Sequence, residues 1–76
     1  MQKLEFHLTG DFIALNDLLK ATGVAPSGGV GKALVATGKV RVDGAVELRK
    51  TCKIRPGQAV RVGDVHITVL GSTPAP

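Results

Sequence analysis

The chain has no tryptophan and no tyrosine, and its only aromatics are Phe6 and Phe12. Proteins that bind single-stranded nucleic acid stack bases on exposed aromatic rings. Phe6 falls on the inward side of an alternating run, so the composition leaves no ring to spare for stacking. There is one cysteine, Cys52, which excludes a disulfide within the chain and any site built from several cysteines. No apolar run approaches the ~20 residues of a membrane-spanning helix. No charged start followed by an apolar stretch marks a secretory leader. The expectation is a reducing, cytoplasmic setting with no membrane partner. Acids are scarce too, six against ten Lys and Arg, at scattered positions without metal-ligand spacing. Neither a metal nor a cofactor is expected.

What is present suits one small soluble domain. Hydrophobic residues make up 43% of the 76 and charged residues 21%, the balance of a globule and not of a disordered chain. A domain of this size buries only about 60% of its unfolded surface and is marginally stable. Residues 1–70 read as that domain. Gly71 to Pro76 holds no core residue and reads as a disordered C-terminal tail.

The net charge of +4 is unevenly spread. From Lys32 to Arg61, eight basic residues stand against Asp43 and Glu47, a net of +6; elsewhere Lys3 and Lys20 face four acids, a net of −2. Such segregation is the electrostatic mark of an anionic partner. A solvated basic face kept for solubility is the blander alternative.

Leu4, Phe6 and Leu8 alternate with polar residues, which predicts a strand with one buried face. Leu15, Leu18, Leu19 and Thr22 recur at helical spacing and predict a first helix over 15–22, ended by Gly23. Ser27 is a good N-cap for a second helix, with Val30, Ala33, Leu34 and Thr37 as its inner stripe and Gly38 as its stop. Neither helix is long enough to be stable alone, so the two must pack together. Val40 and Val42 alternate with Lys39 and Arg41 as a strand, and Asp43-Gly44 makes a turn. Matching apolar faces favours a three-residue loop with Val42 opposite Val46, Arg41 opposite Glu47 and Val40 opposite Leu48. Glu47 would then steady Arg41. Residues 49–55 read as a loop anchored by Ile54. Pro56-Gly57 turns the chain. A second hairpin around Gly63-Asp64 places Val60 opposite Ile67, Arg61 opposite His66 and Val62 opposite Val65.

The spacing Ser27, Ala33-Leu34-Val35, Gly38, Val40, Val42, Asp43-Gly44 resembles the S-four RNA-binding domain, whose core is called the alpha-L motif. LLKATGV at 18–24, SGG at 27–29 and ELRKTCKIRPGQ at 47–58 are similar to small stand-alone members. The resemblance runs from about Ile13 to Leu70. Many members carry arginine at the positions of Ala14 and Gly28, where this chain does not. The fold it implies is α+β, with two short packed helices and a small, mostly antiparallel sheet. The function it implies is RNA binding without catalysis.

Gly28, Gly29 and Gly31 crowd the first turns of the second helix, at a cost of up to about 1 kcal/mol each relative to alanine. Two readings compete: a phosphate backbone approaching bare amides at the helix start, or close packing of the two helices. A nucleotide-binding loop is excluded by spacing, since six residues before Lys32 stands Pro26 and Ala33 follows it. No enzyme constellation emerges. Ser27 has no histidine base, and His7 and His66 fall on outer strand faces. Cys52 lies between Lys50 and Lys53, which would lower its pKa and activate it, or it is an ordinary small side chain.

The expected RNA contacts are the amides and hydroxyl around Ser27, Gly28 and Gly29, and the side chains of Lys32, Lys39, Arg41, Arg49, Lys50, Lys53 and Arg55. Lys20 and Arg61 stand at the margin of that set. The basic residues of 32–55 are expected on one side of the molecule. With no ring to spare, recognition is expected to run through phosphates, sugars and shape, which suits structured RNA such as ribosomal or transfer RNA. The ribosome is a candidate partner, and the chain is expected to be a monomer. The alternative is a protein-interaction module docking on an acidic partner in a ribosome-associated assembly.

Overall fold

The computed structural model describes residues 2–71. The elements in order are β1 (Gln2–Leu8), β2 (Ile13–Ala14), α1 (Leu15–Ala21), α2 (Gly28–Ala36), β3 (Val40–Val42), β4 (Ala45–Val46), β5 (Lys53–Ile54), β6 (Ala59–Val62) and β7 (Val65–Gly71). Five strands form one sheet in the order β1-β7-β6-β3-β4. Only β1 and β7 run parallel; the other three pairs are antiparallel. The α+β architecture with a mostly antiparallel sheet is therefore as expected. β2 and β5 form a separate two-stranded ribbon.

The core joins both helices to the inner face of the sheet. Leu15, Leu18 and Leu19 of α1 are fully buried with Val35 of α2, Ile54 of β5, and Val40, Val60, Ile67 and Val69 of the sheet. Leu4, Phe6 and Leu8 pack against this cluster from β1. The period of two along β1, β6 and β7 thus sorts residues inward and outward as the sequence predicts.

Both helices end as glycine allows. Gly23 and Gly38 take φ of 80° and 78°, beyond what other residues adopt cheaply. The face α2 turns inward differs from the expected one. Gly31 and Val35 are buried and Leu34 half-buried, whereas Val30, Ala33 and Thr37 are exposed. The helix presents its smallest residue to α1, so the two backbones come close.

The second hairpin has the expected register, with Val60 opposite Ile67, Arg61 opposite His66 and Val62 opposite Val65. The first does not. Arg41 stands opposite Val46 and Val42 opposite Ala45. Asp43 and Gly44 have φ of 51° and 88°, the two positive values of a type I′ turn. The 49–55 segment is not wholly loop, because Lys53 and Ile54 pair with Ala14 and Ile13. β7 reaches Gly71, one residue into the expected tail; 72–76 lie outside the described residues.

Candidate nucleic-acid interface

Ser27 enters α2 with extended backbone, and its hydroxyl accepts from the Val30 amide at 3.2 Å. The Gly31 amide donates to the Ser27 carbonyl at 3.0 Å. The amides of Gly28 and Gly29, at the first two helical positions, have no intrahelical acceptor. No acid sits in the first turn to offset the positive end of the helix. A Cβ at Gly29 would meet only the Ser27 hydroxyl at 3.8 Å, and one at Gly28 only the Asn16 side chain at 3.7 Å, both ordinary contacts. A Cβ at Gly31 would lie 2.8 Å from the Asn16 carbonyl oxygen, which no packing tolerates. The two readings of these glycines therefore divide by position. Gly31 serves the helix contact, and nothing in the packing demands Gly28 or Gly29.

The basic loop after β4 is clamped onto the start of α1. The amides of Leu15 and Asn16 donate to the carbonyls of Cys52 and Lys50 at 2.9 and 3.0 Å. These bonds satisfy two first-turn donors of α1 and fix the backbone that carries Arg49, Lys50 and Lys53. Within the loop, Glu47 holds Arg49 and not Arg41. The Arg49 Nε and Nη2 donate to the two carboxylate oxygens at 3.0 and 2.9 Å, and the Arg49 amide donates as well at 2.9 Å. The guanidinium and then the amide of Arg49 pull the Glu47 carboxyl down to about 2. Glu47 in turn raises the Arg49 pKa. Arg49 is thus oriented and largely neutralised. The reason Arg41 is left out is the two-residue turn, which brings Val46 opposite it.

Cys52 behaves contrary to the activated reading. Burial, and then the hydrogen bond to Glu47, push its thiol up, so the thiolate needed for nucleophilic attack is disfavoured. Among the described residues no group of His, Cys, Asp and Glu is placed to hold a metal ion.

The other cations fall into two neighbourhoods. Lys39, Arg41 and Arg61 line an open hollow with Gly38, Val62 and Gly63. Arg41 stands opposite Arg61, Arg61 opposite His66 and His66 opposite Lys3, so one row of basic residues crosses four strands on the outer sheet face. This face points away from the core and its helices, so the basic residues of 32–55 do not all share one side. Lys32 is exposed on α2. The second neighbourhood holds Arg49 and Lys53 around a shallow hollow with Thr51 and Cys52. Beside it stands Phe12, 45% exposed, with the Lys53 Nζ 4.9 Å and the Arg55 Cζ 6.0 Å from its ring centroid. The expectation that no aromatic is free is wrong for this ring. Its neighbour Ile13 packs against the core, and strand alternation then turns Phe12 outward. That signal was available in the sequence. The contribution of Lys3 and His66 to the row was not, since it depends on the pairing of the first and last strands.

A profile of the S4 domain matches residues 6–70. The chain belongs to the S4 domain family. YbcJ of Escherichia coli (strain K12) and YbcJ of Shigella flexneri are each 54% identical to it over 58 residues, covering 76% of this chain and 83% of each relative. The solution structure of Escherichia coli YbcJ superposes with a TM-score of 0.66 at 40% identity, over 92% of this chain and 87% of that one. That structure is described as containing an alpha-L motif involved in RNA binding. The suspected family resemblance is thereby established on sequence and on fold.

Proposed function

We propose that this protein is a non-catalytic RNA-binding protein that meets structured RNA, ribosomal or transfer RNA, through phosphates and shape. The observation that carries this reading is the S4 domain match across 6–70, joined to a helix start whose first amides lack partners and whose first turn has no acid. Ser27, Gly28 and Gly29 seat one phosphate. Lys32, Lys50, Lys53 and Arg55 supply further contacts near the helices and the clamped loop. Arg49 contributes through a guanidinium already held in place by Glu47. Lys39 and Arg41 reach backbone from the sheet side. The protein acts in the cytoplasm as a monomer, with the ribosome as a candidate site of action.

The test is recovery of bound partners from cells by crosslinking, with and without ribonuclease. Sequencing is expected to return structured RNA, and the captured material is expected to disappear on digestion. A partner that survives digestion would replace this reading with docking on an acidic protein.

A further inference from the structure

We infer that Phe12, Lys53 and Arg55 form a subsite for one unpaired nucleotide, its base stacked on the Phe12 ring and its phosphate held by the two cations. The inference rests on the RNA-binding reading and deepens it by naming what part of the RNA is taken. Phe12 is 45% exposed, while Phe6 packs against the core. The ring does not hang on a loose loop. Ile13 pairs with the fully buried Ile54 and Ala14 pairs with Lys53, so the ribbon fixes both the ring and the first cation. The next residue, Arg55, is held through its amide, which donates to the Gln58 side chain at 2.8 Å. The result is an apolar plate bordered by two positive charges, 4.9 and 6.0 Å from its centroid.

A ligand complementary to this arrangement is flat and carries an anion beside the plane. A nucleotide has both features, and an aromatic peptide side chain has only the first. Bases inside a duplex are stacked and paired, so the ligand is a nucleotide in a bulge, a loop or an end. The cations already at the ring do not block it. An exposed cation–π contact is worth about 2- to 5-fold in an equilibrium, and a base stacked on an aromatic about 5- to 150-fold. Long, exposed lysine and arginine side chains can leave the ring for the phosphate while the base takes their place. Shape recognition of paired RNA by the rest of the surface is then supplemented at one point by a stacked base.

The experiment compares a short, fully paired RNA duplex with the same duplex carrying one bulged adenosine. The wild-type chain is expected to prefer the bulged form. Phe12→Leu keeps an apolar side chain without a π face. It is expected to lose about 5- to 150-fold on the bulged RNA and less than about 2-fold on the paired RNA, the most that an exposed surface contact with no base on it supplies. Phe12→Trp introduces the sole tryptophan of the chain. Its fluorescence is expected to be quenched by the bulged RNA and unchanged by the paired one, an answer that holds even if Phe12→Leu folds poorly. Equal loss on both RNAs, no loss on either, or identical tryptophan responses would overturn the subsite while leaving RNA binding intact. Failure of the wild-type chain to bind either RNA, or any structured RNA recovered from cells, would instead overturn the reading beneath it.

Discussion

The three glycines of α2 look alike in the sequence and differ in what surrounds them. At Gly31 a methyl group would come within 2.8 Å of the Asn16 carbonyl, a backbone atom that cannot swing aside. Overpacking of this kind costs about 1–3 kcal/mol, against a gain of about 1 kcal/mol in helix propensity. Gly31→Ala is therefore expected to destabilise the domain by up to about 2 kcal/mol, at roughly 4–8 °C of melting temperature per kcal/mol. Gly29→Ala meets no obstacle, its nearest neighbour being the Ser27 hydroxyl at 3.8 Å. It is expected to raise stability by up to about 1 kcal/mol while lowering RNA affinity, if its bare amide edge faces a phosphate. Thermal melts and a binding titration on the two variants read both effects. A Gly31→Ala protein more stable than wild type would refute the close helix contact. A Gly29→Ala protein with unchanged affinity would remove the phosphate role. The sequence shows that something offsets the cost of the glycines, but only the distance to Asn16 tells which glycine answers to which demand.

At the level of elements, the two hairpins show where pattern reasoning succeeds. In β6 and β7, Val60, Ile67 and Val69 are fully buried, so matching apolar faces finds the true register. In β3 and β4 the same method fails, because β4 is a two-residue edge strand with no core to face. Val46 and Leu48 are 51% and 59% exposed. Turn chemistry decides instead. Asp43 accepts the left-handed backbone, and its carboxylate accepts from the Ala59 amide at 2.9 Å and the Gln58 side chain at 3.1 Å, tying the turn to β6. Asp43→Ala removes both bonds and leaves alanine at φ 51°. It is expected to cost about 1–2 kcal/mol at neutral pH. Acid should act in the same direction. The Ala59 amide and then Gln58 hold the Asp43 carboxyl low, and Arg49 holds Glu47 at about 2 against an ordinary 4.5. The unfolded chain binds protons there that the folded chain refuses, so this stability is present above pH 4.5 and lost as pH falls toward about 2. Melting temperatures measured across that window should fall with acid, and less steeply in Asp43→Ala. An equal slope in both proteins would mean that Asp43 does not contribute to the acid response.

For the molecule as a whole, the charge asymmetry along the chain is legible at once, but its arrangement in space is not. The parallel pairing of β1 with β7 joins the two ends of the described chain, and no local pattern announces a contact of that sequence separation. It is this pairing that adds Lys3 to the row formed by Arg41, Arg61 and His66. The pairing of Arg49 with Glu47 likewise removes one charge that a count of basic residues includes. Both facts bear on how binding depends on salt. Each phosphate neutralised contributes about −0.9 to the slope of log affinity against log salt on B-form DNA and about −0.7 on single strands. With roughly four to six phosphates met at once, the slope for a structured RNA is expected near −3 to −5. Lys50→Ala and Lys53→Ala together should flatten it by about one to two units and weaken binding similarly for many RNA sequences. Arg49→Ala should flatten it by less than about one unit, because the carboxylate freed by the change repels the same phosphates that the guanidinium met only in part. Glu47→Gln should have the opposite effect, steepening the slope by releasing a full charge. Titrations of the four proteins over a salt series check the order. If Arg49→Ala flattens the slope as much as either lysine change alone, the Glu47 contact opens on binding and Arg49 meets the RNA as a free cation.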